Sequence, residues 1–99
     1  MATRIRRSTG NVFRDLGFDA AESENLKLRA DLMIELSKLI KSHRLTQAKA
    51  AAMFGVSQPR VSDLVRGRID RFSVDTLVAM LGNAGVRVRL VVKPRPKVA

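Results

Sequence analysis

Cysteine, tryptophan and tyrosine are absent from this 99-residue chain, and histidine occurs once. Without cysteine there is no disulfide framework and no cysteine-bearing metal site. His43 has no ligand partners at metal spacing and is expected solvated at a helix end. No apolar run reaches the roughly 18 residues needed to cross a bilayer. The basic opening, residues 1–10, is not followed by the apolar core of a signal peptide, so a cytoplasmic location is expected. There is no Ser-His-Asp arrangement, no phosphate-cradling glycine loop and no His or carboxylate set at metal spacing. Neither an enzyme nor a cofactor is expected.

Acid is the scarce charge. Nine Asp and Glu face 19 Lys and Arg, a formal net charge of +10. On one small domain that balance points to a polyanionic partner, nucleic acid before membrane. The signs are also segregated. Six of the nine acids lie between Asp15 and Glu35, whereas none occurs from there until Asp63, a span holding Lys38, Lys41, Arg44, Lys49 and Arg60.

The most informative stretch is LTQAKAAAMFGVSQPRVSDLVRGR, residues 45–68. Thr46 is a good N-cap for a first short helix, and Gly55 supplies the left-handed residue that ends it. Ala50, Ala51 and Ala52 leave that helix thin, so another helix can approach closely. Ser57 caps a second helix, with Pro59 in the first turn, where its missing N–H costs nothing. Val56 and Val61 are placed as a hydrophobic staple. Val61, Leu64 and Val65 form one apolar stripe, leaving Gln58, Pro59, Arg60, Ser62 and Asp63 on other faces. Two ordinary packed helices are the plainer alternative. Both caps, the staple and the polar outer face favour a second helix made for a DNA major groove.

Elsewhere the chain divides simply. Residues 1–10 form a basic arm, either a phosphate or minor-groove contact or an inert tail, and residues 11–18 (NVFRDLGF) form an apolar docking segment. A helical domain is expected over 19–85. Asp19 and Glu22 cap its long leading helix, and Leu26, Leu28, Leu32, Met33, Leu36, Leu39 and Ile40 share a broad face as far as Ser42. Ile34 lies off that face. Residues 68–72 (RIDRF) read as a loop; Ser73 then caps a further helix with Val74, Leu77, Val78, Leu81 and Ala84 on its core face, ended by Asn83, Ala84 and Gly85. Residues 86–93 (VRVRLVVK) switch to a period of two, a strand with Val86, Val88, Leu90 and Val92 on one side. A lone strand leaves its ladder groups unpaired. Its own copy across a two-fold axis is the favoured partner, and the Val12–Phe13 region the intramolecular alternative. Residues 94–99 are a loose basic tail.

Gln47, Ala51, Gly55, Val61 and Leu64 stand at the relative positions of helix-turn-helix units of the Xre/Cro repressor class, which this stretch closely resembles. The resemblance implies a mainly α, lambda-repressor-like bundle of about four to five helices, with the C-terminal strand pairing across a homodimer. By position and chemistry Gln58 and Arg60 are the candidate base readers, for adenine and guanine, and Asp63 either reads a cytosine amino group or orients Arg60. Gln47 matches the class position that grips a phosphate. Thr46 and Ser57 can present backbone N–H groups, Lys49 can add a contact, and Arg66, Arg68 and Arg71 are phosphate candidates by resemblance and charge. Two recognition helices in a dimer would meet double-stranded DNA about 34 Å apart, on a palindromic operator.

Over most of its length the chain also resembles small Xre-type antitoxins of the HigA kind. That likeness implies autorepression of a type II toxin–antitoxin operon, with a basic RelE-like ribonuclease toxin as partner. The acidic segment from Asp15 to Glu35, with the apolar Val12–Phe18, is the candidate toxin surface. A stand-alone regulator without a toxin, or a protein-interaction module on the same scaffold, are the alternatives.

Overall fold

The computed structural model describes Leu16, Gly17 and residues 19–94. The basic arm, most of the docking segment and the last five residues of the tail lie outside the described residues. Among the described residues, four α-helices and one 3-10 turn follow one another: α1 (Ala20–Ser42), α2 (Gln47–Phe54), α3 (Gln58–Val65), the turn Ile69–Arg71, and α4 (Val74–Asn83). The mainly helical expectation holds.

Each helix starts where a short polar side chain can take an orphan N–H. Asp19 accepts from the Glu22 N–H at 2.8 Å, Thr46 from Lys49 at 3.1 Å, Ser57 from Arg60 at 3.3 Å and Ser73 from Thr76 at 3.1 Å. The ends are equally local. After α1 the chain turns through Arg44, at φ +51°, and the N–H of Leu45 closes on the carbonyl of Ile40 at 2.9 Å. After α3 the same closure runs through Gly67, with the Arg68 N–H on the Asp63 carbonyl at 3.0 Å. Both are left-handed C-terminal motifs that satisfy carbonyls the helix itself cannot.

Helix α1 packs along α4, and α2 lies across α3 and α4. Leu32 and Leu36 of α1, Ala50 and Phe54 of α2, Val61 and Leu64 of α3, and Leu77, Met80 and Leu81 of α4 fill the centre. The expected faces of α1 and α4 supply Leu32, Met33, Leu36, Leu77 and Leu81 to this core, and Ile34 stays on the outside. Met80 adds to the α4 face.

Two expectations are corrected. Val65 does not join the stripe of Val61 and Leu64 but is 55% exposed. It is the last residue of α3 and, at about 100° per residue, lies on the far side of Val61 from Leu64, at the edge of the buried side. The strand over 86–93 is not formed among the described residues. The chain leaves α4 with the Val86 N–H on the Leu81 carbonyl at 2.9 Å, and only Val88 carries an isolated β-bridge. Val86 and Val88 pack against the core, whereas Leu90 and Val92 are exposed. A ladder needs a second strand, and the described residues of a single chain contain none.

Candidate nucleic-acid interface

Helix α3 is eight residues long, too short to hold itself in water, so its orientation is fixed by what it buries. Val61 and Leu64 enter the core. At about 100° per residue, Pro59, Ser62, Asp63 and Arg66 then fall on the opposite, outward side. Gln58 and Val65 flank that side at one edge, and Arg60 stands at the other. Gln58, Pro59, Val65 and Arg66 are exposed; Arg60, Ser62 and Asp63 are half-buried.

The turn before α3 is braced from behind. Gly55 sits at φ +68°, and the Asn83 side-chain N–H of α4 donates to the Phe54 carbonyl at 2.9 Å. A Cβ at position 55 would lie 2.6 Å from that amide nitrogen. Gly55 is therefore required by its backbone conformation, and a side chain there would also displace the Asn83 amide from the Phe54 carbonyl. Thr46, Gln47, Lys49 and Ser57 are all exposed around the starts of the two helices.

Beyond α3 the arginine-bearing turn is tied down from two sides. From α1, Arg29 donates to the carbonyls of Ile69 at 3.0 Å and Phe72 at 3.2 Å, and its Nε donates to Asn25 at 2.7 Å. From α3, Arg60 donates through Nη1 to the Arg71 carbonyl at 2.8 Å, and its guanidinium lies 5.5 Å from the centre of the Phe72 ring. Asp63 pairs with the Arg71 guanidinium at 3.5 Å, so the partner it orients is Arg71 and not Arg60. Arg66, Arg68 and Arg71 are exposed. An open cleft of about 600 Å³ runs beside the turn, but Asp70 and Asp75 offset its cations. Lys49 of α2 and Arg66 and Arg68 after α3 are exposed cations with no ion pair among the described residues.

Of the residues singled out from sequence, Gln47, Gln58, Arg66 and Arg68 stand exposed with no side-chain partner among the described residues, while Arg60 and Asp63 are both engaged with Arg71. Sequence inspection missed Arg29, Phe72 and Asn83 as parts that hold the interface. Nothing local marks Arg29, whose carbonyl partners are some forty residues away. Phe72 had a signal, as one of only four aromatic residues, next to an arginine run.

Residues 12–93 match the family model described as a helix-turn-helix domain. The chain therefore belongs to the helix-turn-helix family, and it is a DNA-binding protein of that class. A solved structure provisionally described as an XRE-family transcriptional regulator is 32% identical, superimposes with a TM-score of 0.70, and is aligned over 79% of this chain and 88% of that one. No curated protein sequence matches. Among the described residues no helix is long and apolar enough to cross a membrane.

Proposed function

We propose that this protein is a transcriptional repressor that binds a palindromic operator as a homodimer. The observation that carries this is the outward side of α3, with Pro59 and Arg66 exposed and Ser62 and Asp63 half-buried, set between the exposed Gln47, Lys49 and Gln58 and the exposed arginines at 66, 68 and 71. Gln58 stands free to pair with an adenine edge. Arg60 and Asp63, the candidates for guanine and cytosine, are already engaged with Arg71 in the free protein. Thr46, Gln47, Lys49, Ser57, Arg66, Arg68 and Arg71 form the phosphate-contacting rim, which sets register and supplies salt-dependent affinity. Val86, Val88, Leu90 and Val92 serve as the dimer seam. Leu90, at 59% exposed, and Val92, at 93%, are apolar side chains left uncovered at the end of an extended segment.

The test is selection of duplexes from a randomised pool, followed by a salt titration. Recovery of a two-fold symmetric sequence, bound orders of magnitude more weakly at 200 mM than at 50 mM salt, is the expected result. Recovery of no preferred sequence, with binding indifferent to salt, would leave a protein-interaction module.

The role we propose for the repressor is that of a type II antitoxin, controlling its own operon and neutralising a RelE-like toxin. The exposed acids Asp19, Glu22 and Glu24 at the start of α1, beside the exposed Leu16, suit a basic partner. A chain beginning near Glu22 tests the surface. It should stay folded and lose toxin capture; capture by the folded, shortened chain would move the surface elsewhere. Failure of any neighbouring basic gene product to bind the full chain would leave a stand-alone regulator.

A further inference from the structure

We infer that Arg60 is a positioning residue of the DNA interface rather than a base reader: it locks the arginine-bearing turn, residues 66–72, onto the recognition helix. The inference rests on the nucleic-acid reading above and assigns one of its residues a different task. The Arg60 guanidinium already has two partners in the free protein, the Arg71 carbonyl at 2.8 Å and the Phe72 ring at 5.5 Å. Phe72 is itself buried at 2% exposure, so the ring is a fixed platform. Bidentate pairing with guanine needs two N–H groups presented together at full reach. One of the five guanidinium N–H groups of Arg60 is already spent on the Arg71 carbonyl, and the Phe72 ring holds the group over the turn.

The turn gives a reason for the lock. Ile69–Arg71 is a single 3-10 turn with no side-chain cap at its start. Its carbonyls are instead claimed by arginines from two helices, Ile69 and Phe72 by Arg29 and Arg71 by Arg60. Asp63, also on α3, holds the Arg71 side chain at 3.5 Å. Helix α3 thus grips residue 71 by both its backbone and its guanidinium. Arginine suits this position because its planar group can stack and donate at once, which a lysine ammonium cannot match. The result is that the Arg71 side chain, and the backbone that carries Arg68, are placed relative to Gln58 before DNA arrives. Ordering the turn then costs less on binding. A loss at Arg60 should therefore be felt on every DNA sequence, through phosphates.

Equilibrium binding of the full chain to two duplexes, one selected from a randomised pool and one scrambled, tests this across a salt series. Arg60→Met keeps an apolar stem over Phe72 and removes the donor. It should weaken both duplexes by the same factor, about ten-fold, and lower the slope of log affinity against log salt by about one. Arg60→Lys, which keeps one donor and the charge, should restore part of both effects, and it serves alone if the methionine variant does not fold. Loss confined to the selected duplex, with one base position relaxed, would overturn the proposal in favour of base reading. An unchanged salt slope with equal loss of thermal stability would reduce Arg60 to a packing residue. If the unaltered protein binds neither duplex in a salt-dependent way, the nucleic-acid reading itself falls, and the lock with it.

Discussion

Gly55 carries two constraints that an alanine would violate together. The residue stands at φ +68°, where a Cβ costs roughly 1–2 kcal/mol, and that Cβ would press on the Asn83 amide at 2.6 Å. Gly55→Ala should therefore destabilise the fold by about 2–3 kcal/mol, read from urea midpoints, once the weakened Asn83 hydrogen bond is included. Asn83→Ala alone should cost about 1 kcal/mol. In that background the Gly55→Ala penalty should shrink, because the clash has gone while the backbone term remains. Equal penalties in both backgrounds would show that the close approach contributes nothing. Arg44 is the opposite case. It holds φ +51° without being glycine, so Arg44→Gly should gain about 0.5–1 kcal/mol despite the greater freedom of the unfolded chain. A lower melting temperature for that variant would mean that the arginine side chain contributes more than its backbone strain removes.

At the scale of the element, α3 shows how far local signals reach. Ser57, Pro59, Val61 and Leu64 fix its start and its buried side, and all four act within one or two turns. Such features were legible in the sequence because capping and periodicity depend only on near neighbours. The same is true of Thr46, Gly55, Asp19 and Ser73. Val65 was misplaced because it lies at the edge of the buried side in the last residue of the helix, where periodicity alone does not decide burial. Arg60 and Asp63 were placed on the right element but with the wrong surroundings. Their partners, Arg71 and Phe72, are brought beside them by the path of the following turn, which Arg29 on a distant helix sets. A helix this short depends heavily on its cap, so Ser57→Ala should cost about 1 kcal/mol. Its operator affinity should fall as well, since Gln58 and Pro59 lie in the turn that the serine orders. Unchanged chemical denaturation of that variant would mean that packing by Val61 and Leu64 alone sets the helix start.

For the whole molecule, the C-terminal segment is where the proposed second copy would join, and so would set how many such interfaces act at once. A period-two pattern predicts a strand there, yet one chain supplies no ladder among its described residues, and Leu90, Val91 and Val92 remain exposed. Pattern alone records that a segment is made to pair, not with what. If the pair is a second copy, Leu90→Asp with Val92→Asp should separate the subunits while leaving the helical domain folded, because neither side chain contributes to its core. Sedimentation would then give the monomer mass with an unaltered melting profile. The consequence for DNA is quantitative. Each subunit brings its own set of phosphate contacts, and the salt slope counts them. The separated protein should therefore bind a palindromic duplex with about half the slope of the parent, and much more weakly, since the second half-site no longer benefits from the first. A full slope from a demonstrably monomeric variant would show that one subunit makes all the phosphate contacts and that the operator is read singly. An undisturbed dimer would place the two-fold contact elsewhere on the helical body.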